Sequence, residues 1–143
     1  MFIGTYYQTL DEKRRVSVPK TFRESLTPGA VVTRGLDGCL FIFTAESWAR
    51  LTEKLQSLPL GTKAARDFLR LMTYSAAPVE YDKLGRIHLP EALIATAGIN
   101  KDVVFAGALT RVEIWDKAKY HTYLDGLEKS EGELEESLQE LGI

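Results

Sequence analysis

The pattern Asp-x-x-x-Arg occurs twice in the chain, from Asp11 to Arg15 and from Asp82 to Arg86. Both copies carry cations: Lys13, Arg14 and Arg15 in the first, Lys83 and Arg86 in the second. Lysine and arginine so placed can neutralise phosphates and release counterions, which gives affinity for a nucleic acid and makes it salt-dependent. Arginine also has the planar fork for bidentate contact with guanine in the major groove. By side-chain type, Arg15 and Arg86 are candidates for reading bases or anchoring the chain on DNA. Lys13, Arg14 and Lys83 are candidates for phosphate contact, and Lys20 and Arg23 are weaker ones. The same spacing supports another chemistry. An aspartate and an arginine four residues apart across a tight turn can close on each other as an ion pair, with the carboxylate capping the turn. The residues by themselves leave both readings open.

Other candidate chemistry is sparse. His88 and His121 are the only histidines and Cys39 the only cysteine, too few and too scattered for a zinc cluster. His88 reads as a strand residue with a structural role. Asp37, Glu46 and Asp116 read as turn or cap residues. No glycine-rich dinucleotide loop, P-loop or nucleophile elbow occurs. The expectation is a protein that is not an enzyme and has no cofactor, metal or small-molecule substrate.

The elements around the two boxes repeat. At an offset of 71 residues, Asp11 falls on Asp82, Arg15 on Arg86, Val16 on Ile87, Val18 on Leu89 and Pro19 on Pro90. At an offset of 72, Ile42 falls on Ile114, Phe43 on Trp115 and Trp48 on Tyr120. A shared order of turn, alternation, proline and aromatics marks an internal duplication. Each unit reads as a short first strand (3–9 and 79–81), a turn (11–14 and 82–85) and an alternating strand (15–18 and 86–89). A short helix follows the proline (21–26 and 92–97), then a second hairpin. Asp37-Gly38 is a strong hairpin turn signal.

After each hairpin, Thr44 and Asp116 are plausible N-caps of a helix. Trp48, Leu51, Leu55 and Leu58 follow helical spacing, as do Tyr120, Tyr123, Leu124 and Leu127. A linking helix over 63–74 shows Phe68, Leu69, Leu71 and Met72. Ser130 and Glu133 have capping-box spacing ahead of an apolar stripe at Leu134, Leu138 and Leu141, which reads as internal packing or a subunit contact. Trp48, Tyr120, Phe43 and Trp115 read as helix-on-barrel packing rather than base-stacking groups.

One unit of about 40 residues is too small to bury a stable core alone. Two can interleave their hairpins and close a barrel, which removes sheet edges. The expected fold is therefore α+β, mainly β: a tandem-repeat barrel of interleaved hairpins with peripheral helices and a two-fold pseudo-axis. The expected divisions are a first unit at 5–47, a helical linker at 48–75, a second unit at 76–119 and C-terminal helices at 120–143.

Composition is compatible with this. The chain has 143 residues, 45% of them hydrophobic and 27% charged, enough for one compact core. A lone cysteine excludes an intrachain disulfide and argues for a reducing interior. No apolar run approaches the roughly 20 residues that span a bilayer, and the N-terminus has no basic segment followed by a long apolar one, so neither a membrane span nor a signal peptide is expected. The net charge of −2 hides an asymmetry: the last sixteen residues hold six glutamates against Lys129, and the preceding 127 carry +3. A mildly basic body with an acidic tail suits a nucleic-acid partner, though an acidic helix is commonly just a solvated one.

The start at Met1, Phe2 and Gly4, the doubled box with its strand and proline, and the hairpin end Val112-Glu113-Ile114-Trp115-Asp116 together resemble the MraZ family, over nearly the whole chain. That family has two tandem SpoVT-AbrB units with swapped hairpins. One box would be weak; two at this spacing are specific. The chain departs from the pattern at Arg14, where the family commonly has glycine, as the second box does at Gly85. The resemblance implies an AbrB-like swapped-hairpin fold and a transcriptional regulator. It implies binding to double-stranded DNA, at promoter repeats upstream of the division and cell-wall gene cluster, by a homo-oligomeric ring in the cytoplasm, on the nucleoid. It favours the DNA reading of Lys13, Arg14, Arg15, Lys83 and Arg86. The alternatives are an oligomeric protein-interaction scaffold, or an AbrB-type antitoxin, which usually has one unit and a disordered toxin-binding tail.

Overall fold

The computed structural model describes all residues, 1–143. Its strands are β1 (Thr5–Thr9), β2 (Arg15–Ser17), β3 (Val31–Arg34), β4 (Leu40–Phe43), β5 (Ala77–Pro78), β6 (Arg86–His88), β7 (Asp102–Gly107) and β8 (Arg111–Asp116). Its helices are α1 (Lys20–Leu26), α2 (Ala45–Gln56), α3 (Lys63–Tyr74), α4 (Glu91–Ala97), α5 (Lys117–Lys129) and α6 (Glu131–Glu140). No helix is long and apolar enough to cross a membrane.

The two halves are interleaved, strand by strand. A six-stranded antiparallel sheet runs β1-β7-β8-β4-β3-β5, and β2 pairs β6 as a separate two-stranded sheet. Strands β1 and β7 come from different units, and so do their counterparts β5 and β3. Two ladders cross the pseudo-axis. In one, Val16 faces Ile87, and in the other Phe41 faces Glu113. Each of these pairs consists of positions that are equivalent in the repeat, 71 and 72 residues apart. The duplication is therefore a two-fold arrangement in space.

The core repeats as well. Val16, Val18, Phe22 and Leu26 are buried with Ile87, Leu89, Leu93 and Ala97, their counterparts at the same offset. Alternate sheet residues Val32, Leu40, Ile42, Val103, Phe105, Val112 and Ile114 close this core from the other side. Burying each large side chain contributes about 1.5–3 kcal/mol. Side chains of both units make up this one core, as expected of units too small to bury one alone. The opposite sheet face packs Phe41, Phe43, Val104 and Trp115 against Leu55 of α2 and Met72 of α3. Trp48 lies 5.9 Å from Phe43 and Tyr120 lies 6.3 Å from Trp115, so these aromatics pack helices on the sheet as the repeat suggests.

Several local expectations hold. Asp37 and Gly38 both take positive φ, 61° and 89°, in the tight turn that joins β3 to β4. Thr44 Oγ1 accepts from Ser47 N at 3.0 Å, and Asp116 Oδ2 from Lys119 N at 3.3 Å, so both N-caps are present. Phe2 is buried against Phe22, with ring centroids 5.6 Å apart, and Gly4 turns the chain at φ 88°. Gly107 has no room for a Cβ because the Phe2–Ile3 backbone crosses it.

Two expectations are corrected, and a third is narrowed. The sheet does not close into a barrel, because β1 and β5 are its two edges. Strand β5 has only two residues, one of them Pro78, which has no N–H to extend a ladder. The Ser130–Glu133 capping box does not form. Ser130 sits at φ −101°, ψ 21°, close to helical, and its Oγ donates back to Gly126 O at 2.9 Å. Of the two readings of the tail stripe, internal packing is not seen, since neither α5 nor α6 buries a residue fully and Leu134 and Leu141 are exposed, which leaves the subunit contact.

Candidate nucleic-acid interface

The two Asp-x-x-x-Arg boxes fold into turns with the same bonds. In the first, Asp11 Oδ1 accepts from Lys13 N at 2.9 Å and Arg15 N at 2.8 Å, and Asp11 Oδ2 accepts from Arg15 Nε at 2.8 Å. In the second, Asp82 Oδ1 accepts from Leu84 N and Arg86 N, both at 2.9 Å, and Asp82 Oδ2 from Arg86 Nε at 2.7 Å. Main-chain bonds repeat too: Asp11 N donates to Arg15 O, and Asp82 N to Arg86 O, each at 2.9 Å. The aspartates define the turns because a short carboxylate can gather backbone N–H groups two and four residues ahead. The N–H of Arg15, and then its guanidinium, hold the Asp11 carboxyl below the usual aspartate range; Arg86 does the same for Asp82.

Both turns need a left-handed residue before the strand. Gly85 supplies it at φ 75° and Arg14 at φ 60°. Glycine does so without strain, whereas a residue with a Cβ loses roughly 1–2 kcal/mol.

Each turn is held by the other unit. Leu89 N donates to Arg14 O at 2.9 Å, and Val18 N to Gly85 O at 3.2 Å. Arg14 Nη1 reaches Glu91 Oε2 on α4 at 3.3 Å. Arg23 on α1 lays its guanidinium over Gly85, where a Cβ would collide with it, and donates from Nη2 to Val18 O at 2.9 Å. Its Nε is left buried without a partner. Arg23, a weaker contact candidate in the sequence, is thus committed inside the protein.

The turns also meet each other. Arg86 Nη1 lies 3.8 Å from Asp11 Oδ2, so the second turn's arginine reaches the first turn's aspartate. Arg15 and Arg86 occupy the centre, each with one nitrogen bound to its aspartate and with side-chain exposures of 33% and 27%. Lys13 and Lys83 are exposed further out. The ion-pair alternative therefore describes how Arg15 and Arg86 close the turns. It leaves Nη1 and Nη2 of Arg15, and Nη2 of Arg86, outside these ion pairs.

Sequence reasoning missed Glu91, whose link to Arg14 spans 77 residues and has no local signal. It also missed Leu84, the second turn's counterpart of Lys13, although the repeat alignment pairs the two positions. Cys39 is buried, which pushes its thiol up to about 12 and keeps it protonated.

A duplicated, interleaved α+β domain with one Asp-closed cationic turn per unit defines the class. The chain belongs to the MraZ family: the model described as "MraZ protein, putative antitoxin-like" matches it twice, over residues 1–71 and 72–140. It is 44% identical over its full length to the transcriptional regulator MraZ of Acetivibrio thermocellus and 43% to that of Clostridium tetani, covering all of each. With the transcriptional regulator MraZ of Micrococcus luteus it shares 42% identity over 96% of both chains. The two family matches meet between the units and register the same duplication as the strands.

Proposed function

We propose that the protein is a DNA-binding transcriptional regulator whose two turns, 11–14 and 82–85, lie against duplex DNA. The observation that carries this reading is the contact of 3.8 Å between Arg86 and Asp11. It joins two cationic turns of identical bonding into one surface. In this reading Lys13, Arg14 and Lys83 neutralise phosphates, while Arg15 and Arg86 anchor or read bases with the nitrogens their aspartates leave free. The names of the relatives support the regulatory role.

One protomer offers few such contacts, so its affinity alone is low. A closed ring of protomers that sets several turn pairs along repeated promoter sites gains by raising the effective concentration of each next contact. The sites in this reading are repeats upstream of the division and cell-wall gene cluster, and the protein acts in the cytoplasm on the nucleoid. Exposed apolar side chains on α3 (Phe68, Leu71, Tyr74), on α6 (Leu134) and just after it (Leu141) offer surface for subunit contacts. The units of the proposed organisation are 5–47 and 76–119, with the linker at 48–75 and the C-terminal helices at 120–143.

The test measures binding to the duplex upstream of this gene across a salt series. Arg15→Glu with Arg86→Glu is expected to abolish specific binding. Because those arginines also close the turns, Lys13→Glu with Lys83→Glu is measured beside them, since neither lysine side chain makes a turn bond. Unchanged affinity and salt slope in both pairs would overturn the reading. Unaltered binding of an acidic protein partner in place of DNA would favour the scaffold alternative.

A further inference from the structure

The turns share a backbone but not a tip. Lys13 N and Leu84 N make the same bond, each to the Oδ1 of its turn's aspartate at 2.9 Å. The aspartate therefore fixes both residues in equivalent positions, and one unit presents an ammonium where the other presents an isobutyl group. Leu84 is 69% exposed, and nothing in the chain covers it. Lys83 precedes it and Arg86 follows within the same turn, so the cations that attract a phosphate backbone flank an apolar tip.

Resting on the proposed DNA contact of these turns, we propose that Leu84 is a specificity-determining residue that packs on the C5-methyl group of a thymine in the major groove. Leucine has no donor or acceptor for a phosphate oxygen or a base edge. Among the major-groove edges of the base pairs, the apolar feature is the thymine methyl. Lys13 has the opposite preference, for phosphate oxygens or the O6 and N7 acceptors of guanine. The two turns of one protomer thus favour different base pairs. A fold with a two-fold pseudo-axis then reads a half-site that lacks two-fold symmetry, and each protomer binds in one orientation.

The experiment compares two duplexes of the region upstream of this gene, one natural and one with every thymine replaced by deoxyuridine. That exchange removes the C5 methyl and keeps the base-pairing groups. Wild type, Leu84→Ala and Lys13→Ala are titrated against both, and the assembly mass of each is measured in solution. One buried methyl corresponds to about a fourfold change in affinity. Wild type is expected to bind the uracil duplex at least fourfold more weakly. Leu84→Ala should lose a similar factor on the natural duplex and no more on the uracil duplex. Lys13→Ala should weaken binding to both and keep the discrimination. Equal binding of both duplexes by wild type overturns the role of Leu84 and leaves the DNA contact standing. Discrimination that survives Leu84→Ala also overturns it, because the methyl is then sensed elsewhere or through DNA shape. A changed assembly mass for Leu84→Ala assigns the residue to a subunit contact and overturns it too. If wild type binds neither duplex, the DNA contact itself falls.

Discussion

The first turn and the second reach the same hydrogen-bond pattern by different means. The second has glycine at the left-handed position, an arginine from α1 laid over it and an apolar tip. The first has Arg14 at that position, tied to Glu91 on α4, and a lysine tip. The second turn is built for an unstrained backbone. The first accepts strain in exchange for another cation on the exposed surface. The contrast teaches that a duplicated fold keeps the bonds that shape a loop, here the aspartate and the following arginine, while the residues between them diverge.

The largest expected effect comes from removing the feature that distinguishes the second turn. Gly85→Ala puts a Cβ at φ 75° and into the Arg23 guanidinium, so a loss of about 2 kcal/mol is expected from urea unfolding. A loss of only about 1 kcal/mol would show that Arg23 moves aside freely and the positive φ alone costs, and equal stability would show that neither costs anything net. The reverse change, Arg14→Gly, relieves the first turn. It should gain about 1 kcal/mol in the same assay, while DNA binding weakens and its salt slope falls by about one. If both stability and binding rise, Arg14 is not a phosphate contact.

Single-charge changes sharpen the comparison further. Lys13→Ala and Lys83→Ala should each lower the salt slope by about one without altering the unfolding midpoint by a measurable amount. A change in one slope only would assign the DNA contact to one turn. The smallest effect is on pH dependence. Asp11 and Asp82 have carboxyls lowered in the fold from an ordinary value of 3.8, so their contribution is complete above that value. It is lost as pH falls through the lower folded value. Unfolding midpoints measured between pH 5 and pH 2 should therefore drop on the acid side. The Asp11→Asn, Asp82→Asn double variant should show a shallower drop, and an unchanged slope would mean the turn bonds contribute nothing net.

Much of the fold was legible because its signals are local. The alternation at 15–18 and 86–89, the prolines, the Asp-Gly hairpin and the caps at Thr44 and Asp116 depend on neighbours a few residues away. The linking helix was legible over its whole length, Lys63–Tyr74. Its covered face was not: Met72 is buried and Leu69 partly so, whereas Phe68 and Leu71 point outward. Period identifies a helix, but the width of the stripe that packs depends on what lies opposite. Ser130 failed as a capping residue for a related reason. Its backbone is shared by the end of α5 and the start of α6, and its Oγ donates to the carbonyls of Gly126 and Leu127 behind it.

From the amino-acid order alone came the duplication, the places of the two turns and the positions of their cations, since each rests on side-chain type at short spacing; that the aspartates close the turns came from the structure. Tertiary structure decided that the sheet stays open, that each turn is supported by the opposite unit, and that Arg86 reaches Asp11. Those outcomes depend on which apolar faces are buried together. Residues 71 apart in the chain meet at the pseudo-axis because neither half can exclude water from its core without the other.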